Sequence, residues 1–94
     1  MGDLTGIDVT DAIDVSGMEH FAVTVGGTFV GTYSVEVSQD GTTFVAHPDA
    51  TDKTAPFVLA VSDNPYKEVR VNCTAHTSGT LKNLLGGRDE DRAG

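Results

Sequence analysis

Three histidines, one cysteine and fourteen carboxylates are the residues of this chain from which chemistry could be built. His20, His47 and His76 stand far apart in sequence, and no pair has metal-ligand spacing such as HxxxH. Cys73 is single, so it closes no internal disulfide, and one thiol is not a zinc site. It sits on the apolar side of an alternating stretch and reads as a small core residue rather than a reactive thiol. Paired carboxylates for acid–base work would have to come from Glu36, Glu68 or the aspartates. Glu36 and Glu68 occupy the polar side of alternating stretches and read as solvated outer-face residues. Asp8, Asp11 and Asp14 are spaced by three, but the alternating oxygen ligands, central glycine and terminal glutamate of a calcium loop are missing. Ser16, Ser34, Ser38, Ser62 and Ser78 fall in turns or on outward faces, and none stands in a G-x-S-x-G elbow. Gly26-Gly27 is followed by neither a lysine nor a helix start, so it is not a phosphate loop. These readings predict a chain that is not an enzyme and carries no cofactor or metal.

Charge narrows the partners. The formal net charge is −8, and the first twenty residues hold Asp3, Asp8, Asp11, Asp14 and Glu19 with no lysine or arginine. An acidic chain without basic clusters is poorly suited to nucleic acid or an anionic membrane, and it approaches basic partners readily. Lys67, Arg70 and Lys82 can share one outer face, as a small patch for an acidic partner or a neighbouring subunit's aspartates; bland surface charge is the other reading. No segment approaches the roughly 18 apolar residues of a membrane span. The N-terminus has neither the basic nor the apolar region of a signal peptide. Gly6 stands where a myristoylation signal wants Ser or Thr. Asn72-Cys73-Thr74 matches a glycosylation acceptor only formally, because it lies mid-strand.

The elements that must position these residues are strands. Thr and Val are the commonest residues, about a quarter of the chain, Trp is absent, and Gly recurs at short intervals. Residues 31–46 are central. Tyr33, Val35 and Val37 alternate with Ser34, Glu36 and Ser38, which is the period of a half-buried strand. Asp40-Gly41 is a strong hairpin signal. A two-residue loop sets Val37 against Phe44 and Val35 against Ala46, and a four-residue loop over residues 38–41 keeps the same parity; a three-residue loop would move Phe44 to the polar face. We therefore expect the even loop.

Around that stretch, residues 1–6 look loose, and Ile7, Val9, Ile13 and Val15 alternate with polar residues as one or two short strands or an extended arm. Phe21, Val23 and Val25 form one face of the next strand, which a Gly26–Thr28 loop keeps in phase with the strand after it. Gly31 falls on the inward face, where a missing side chain marks close approach of another backbone. A polar loop spans 47–55. Phe57, Val58, Leu59, Ala60 and Val61 make a wholly apolar strand, and 62–66 is a turn. In the following strand Val69, Val71, Cys73 and Ala75 point inward. A three-residue turn ending on a left-handed Gly79 buries Leu81 and Leu85 and points Asn83 inward, the reading preferred over a two-residue turn that would bury Leu84 and Lys82. Residues 86–94 are mixed-charge and expected to be disordered. Seven or eight short strands at this length predict an all-β fold, a compact antiparallel β-sandwich of Ig-like or jelly-roll-like kind. Its parts are an extended N-terminal arm or edge strand (1–15), the sandwich (16–85) and a tail (86–94).

Two runs carry a resemblance. Residues 29–44, FVGTYSVEVSQDGTTF, are similar to a pattern of small tailed-phage structural proteins: a G-T-F-x-G-T strand, a charged strand, then S-x-D-G-T-T with an aromatic. Residues 67–80, KEVRVNCTAHTSGT, resemble the R-V-x-x-x-A-x-T-S-G-T hairpin of the same proteins. Val15-Ser16-Gly17 ahead of an alternating strand also fits, and the likeness covers about residues 13–85. Two departures are Phe44, where those proteins usually carry Trp, and residues 81–85, LKNLL, where they usually continue with a Val-rich strand. The resemblance implies a virion component without catalytic residues. That is first a capsid decoration or cement protein, made in the bacterial host cytoplasm, which docks as a homotrimer on the outer surface of the assembled head and clamps the major capsid protein. A tail or fibre accessory domain for host attachment is the alternative, and a carbohydrate-binding Ig-like module is a third reading, weakened by the missing Trp. Candidate capsid or subunit contacts are Leu4, Ile7, Val9 and Asp11 on the acidic arm, with Lys67, Arg70 and Lys82.

Overall fold

The structure is a computed structural model and describes residues 3–88, the last two through their backbone. Its strands are β1 (Asp8–Val9), β2 (Ile13–Asp14), β3 (His20–Gly26), β4 (Phe29–Ser38), β5 (Val45–Ala46), β6 (Phe57–Val61), β7 (Glu68–Gly79) and β8 (Lys82–Arg88), with a 3-10 turn at Pro48–Ala50. They form two antiparallel sheets. In the larger sheet β7 lies between β4 and the short β1 and β2, and β5 flanks β4; the smaller sheet runs β6-β3-β8. The inward faces of both sheets make one core, with Phe21, Val23, Val25, Leu59 and Leu81 from one side and Tyr33, Val35, Val37, Val69, Val71 and Cys73 from the other. This is the sandwich that the alternation predicts.

The connections carry the chain between sheets. β3 pairs with β6 and β8, whereas β4 pairs with β7 and β5, so Gly27, in the left-handed region at φ 92°, turns the chain from one layer to the other. The inward parity still holds across it. Gly79 makes the same transfer from β7 to β8 at φ 87°, and Leu81 and Asn83 are buried beyond it, as the spacing predicts.

The register within the larger sheet corrects one expectation. Phe29 through Ser38 pair with Gly79 back to Glu68, but the register shifts at Val30/Gly31 and at Thr32/Tyr33. Tyr33 faces Cys73 while Thr32 faces Ala75, and Gly31 faces His76 while Val30 faces Ser78, so β7 holds one extra residue at each place, Thr74 and Thr77. Such a bulge reverses the side-chain parity beyond it. Ala75, expected inward, is therefore exposed. Gly31 sits beside these bulges, and a Cβ there would meet the Ala75 carbonyl and, at 3.1 Å, the His76 Cα, which is the close approach expected of it.

The Asp40-Gly41 loop is a second correction. Val37 pairs with Val45 and Glu36 with Ala46, so the loop between the paired residues is odd and wide. Asp40 organises it: Oδ1 accepts from Thr43 N at 2.7 Å, Thr42 N at 2.8 Å and Ser38 Oγ at 2.9 Å, while Gly41 N donates to Ser38 Oγ at 2.8 Å. A side chain that satisfies two backbone donors favours this open turn over the tight one. Phe44 consequently lands on the polar face. Beyond it the chain stays on the edge of β4: His47 N donates to Val35 O, Asp52 N donates to the buried Ser34 Oγ, and Tyr33 and Lys53 exchange backbone bonds of 2.9 and 2.7 Å. Ser34 and Ser38, expected to face outward, are thus buried, Ser34 bonded to Asp52 and Ser38 to the Asp40 loop.

Both ends are more integrated than the sequence suggests. Leu4, in a stretch expected to be loose, is buried and exchanges backbone bonds with Leu81 at 2.9 and 2.8 Å. β1 and β2 pair with β7, and the buried Thr10 accepts from Val71 N at 3.0 Å through its hydroxyl. At the other end, strand pairing with β3 continues through Gly86 and Gly87 to Arg88. The rest of the expected tail, 89–94, lies outside the described residues.

Two titrating groups report on this packing. Tyr33 is fully buried and donates its hydroxyl to Ala55 O at 2.7 Å. Burial pushes its pKa up to about 12 from 10.0, so its stabilising share is present below pH 10 and lost as pH rises toward 12. We expect alkaline unfolding in that window, costing on the order of 2 kcal/mol, followed by tyrosinate absorbance and circular dichroism; in Tyr33→Phe the alkaline decline flattens while the midpoint at neutral pH drops with the lost hydrogen bond. Asp40 has the opposite sign. Its carboxyl lies well below the usual 3.8 because the Thr43 and Thr42 amides and the Ser38 hydroxyl favour the anion, so its contribution is present above that value and lost in stronger acid. In calorimetry below about pH 4, Asp40→Asn, which keeps the acceptor oxygen but not the titration, should lose less of its thermal midpoint than the parent.

Candidate docking surfaces

Among the described residues, no three of His, Cys, Asp and Glu come together as metal ligands. The histidines lie on separate elements. His20 opens β3, His47 precedes the 3-10 turn and accepts from Asp49 N at 3.1 Å, and His76 Nε2 contacts Gly79 O at 2.9 Å near the end of β7. Cys73 is fully buried, and that burial pushes its thiol pKa up, which favours the protonated, unreactive form. The structure offers surface instead, in three regions of different chemistry.

The first is the N-terminal arm. β1 and β2 lie along the edge of β7 opposite β4, and Thr10 N donates to Val71 O at 2.9 Å between them. This fixes the arm while leaving Ile7 70 % and Val9 40 % exposed beside the exposed Asp8 and Asp11. Asp14 is held below its ordinary pKa by the Ser16 hydroxyl and amide, at 2.6 and 2.8 Å. The arm therefore presents apolar side chains in an anionic setting, Val9 on β1 and Ile7 in the bend just before it.

The second region is the outer face of the larger sheet. Arg70 Nε donates to Glu36 Oε1 at 2.7 Å, Asn72 Nδ2 donates to Glu36 Oε2 at 3.1 Å, and the Arg70 guanidinium stacks 4.0 Å from the Phe44 ring centroid. Glu36, expected to be solvated, has a side chain only 15 % exposed. The network explains why Phe44 is tolerated on a polar face: it covers the guanidinium, and the guanidinium covers it. Arg70 is thus committed within the chain.

The third region is the outer face of the β6-β3-β8 sheet. Thr24 pairs with Val58 on one side and Leu84 on the other, and Ala22 pairs with Ala60 and Gly86. Val58 is 55 % and Leu84 69 % exposed. A shallow hollow of about 410 Å³ lies at its His20 end, floored by Ala22, Ala60 and Gly86. The sequence does not disclose this face, because β6, apolar throughout, carries no alternation to show which residues face out; only Leu59 and Val61 are buried.

The seven candidate contact residues therefore divide. Ile7, Val9 and Asp11 share the exposed arm, whereas Leu4 is core. Lys67 is exposed just before β7, and Arg70 is tied to Glu36 and Phe44. Lys82 opens β8 in the other sheet, 3.6 Å from Asp3, so the three basic residues do not form one patch. No family model, curated protein or solved structure matches this chain.

Removing Arg70 strands a half-buried carboxylate and uncovers an aromatic ring. Arg70→Ala should lower unfolding free energy by about 1–3 kcal/mol, and Arg70→Lys, which keeps the charge but not the planar stack, should fall between. Urea titration of the two variants checks the order.

Proposed function

We propose that this chain is a non-enzymatic structural component of a tailed-phage particle, a capsid decoration protein that binds the outer surface of the assembled head. Support comes from the two phage-like runs, which supply the Asp40 loop and the central β4 and β7 strands of a small all-β domain. The observation that carries the reading is the arm: Val9 on β1, which is bonded into the sandwich, and Ile7 just before it are both exposed, beside Asp8 and Asp11. Natural monomers seldom hold large aliphatic side chains outward at an ordered sheet edge without a surface to cover them.

The mechanism is mechanical. A rigid domain laid across a junction of the major capsid protein adds buried area that expansion of the shell must break. Because the arm is ordered before docking, little conformational entropy is lost on contact. Its carboxylates steer it toward basic positions on the shell and make the association salt-dependent. Homo-oligomerisation, as the trimer the resemblance implies, would multiply a modest contact by avidity. A tail or fibre accessory domain rests on the same runs and differs in where the protein sits.

Immunogold labelling of purified particles separates the two: label over the head supports decoration, and label confined to the tail replaces it with the alternative. Because Leu4 and Thr10 are buried, removing the whole arm would disturb the core, so point variants test the contact. Ile7→Ser with Val9→Ser should weaken binding to particles stripped of this protein at least tenfold, by the apolar area withdrawn, and leave the thermal midpoint within roughly 3 °C. Unchanged binding removes the arm from the contact.

A further inference from the structure

The free edges of the two sheets are guarded unequally. β1 presents Asp8, and β8 begins at Lys82 and ends at Arg88. β5 is two residues long. Short strands and charges of this kind are how natural sheets discourage pairing with another chain. β6 is the exception. Phe57, Val58, Leu59, Ala60 and Val61 contain no charge and no proline, and β6 lies at the end of its sheet with β3 as its partner. Among the described residues, no backbone bond outside that pairing involves β6.

We propose that the edge of β6 pairs with the β6 edge of a second copy of this chain, antiparallel about a two-fold axis at Leu59. In that register Phe57 faces the second copy's Val61, and Val58 faces its Ala60, so every cross-strand pair is apolar despite a net charge of −8 on each chain. The charges that border the strand are complementary. Lys53 Nζ sits 4.3 Å from the Phe57 ring centroid, at one end of β6. Asp63 follows Val61 at the other end. The two-fold places each Lys53 toward the other copy's Asp63, twice. Among the described residues no other free edge has this combination. The product is a continuous six-stranded sheet, in which the outer faces around Val58, Thr24 and Leu84 merge into one surface twice as wide.

A five-residue edge buries less than the roughly 800 Å² per partner of a standard interface. The dimer should therefore depend on concentration. The pairing does not rest on the decoration reading, and its two-fold symmetry departs from the trimer that the resemblance implies, so the two are separable by mass. Sedimentation velocity on the full chain, from micromolar to several hundred micromolar, should show a reversible monomer–dimer equilibrium. Val58→Lys, at an exposed outer-face position, should weaken it at least tenfold with the circular dichroism spectrum unchanged. Lys53→Glu should weaken it several-fold, and adding Asp63→Asn should recover part of the loss by removing the new repulsion. Amide exchange in the parent should slow within β6 as concentration rises. A chain monomeric across the whole range, or a dimer or trimer indifferent to Val58→Lys, overturns the proposal.

Discussion

The ladder between β4 and β7 is the constraint on which the remainder of this fold depends. Tyr33 faces Cys73, Val35 faces Val71 and Val37 faces Val69, and all six side chains are essentially removed from solvent. These pairs join residues some thirty to forty apart in sequence, so closing them costs considerable chain entropy before any contact is gained. The other additions build on that ladder. β1 and β2 add to the far edge of β7, the 45–53 segment runs along the far edge of β4, and the second sheet packs its valines and leucines over the inner face. The two bulges in β7 belong to the same constraint. They let a twelve-residue strand follow a ten-residue partner and bend away at the Gly79 end, where the chain must leave for the other sheet.

Much of this was legible because a strand buried on one face writes its orientation into its residues. The odd-numbered apolar positions of β3, β4 and the first half of β7 are buried as their alternation requires, and Gly31 and Gly79 occupy a close approach and a left-handed turn. The misses share a cause. Parity is read by assuming uniform pairing, and one extra residue resets it. Thr74 did so for Ala75. In the Asp40 loop, side-chain bonds to Thr42 and Thr43 competed with the tight turn that Asp-Gly favours, and moved Phe44 to the other face. Partner choice was not legible either. The turns at Gly27 and Gly79 look like hairpin turns in sequence, yet both cross between sheets, because which strand completes a sheet is decided by the whole core rather than by the loop.

The candidate site was less legible than the fold, for a physical reason. A catalytic or metal site concentrates unusual residue types at particular spacings, and this chain shows no such concentration. A docking surface is made of ordinary residues whose meaning lies in exposure, and exposure is a property of the folded sheet. Ile7 and Leu4 have the same character in sequence; one is 70 % exposed and the other 6 %. Arg70 and Lys67 are both basic, but only the ladder that sets Arg70 opposite Glu36 shows that its charge is spent internally.

The two exposed apolar regions differ in a way that bears on how such a domain could work. The arm combines aliphatic side chains with carboxylates, a pairing that rewards a basic partner and penalises a second acidic copy. β6 carries no carboxylate of its own, so its edge can meet a second copy without that penalty. A chain of net charge −8 repels itself at long range, so contact between copies is least opposed where acids are sparse. Segregating charge in this manner gives two regions of one small sandwich different chemistry. It requires no moving part, because both regions are fixed by backbone pairing to the same rigid core.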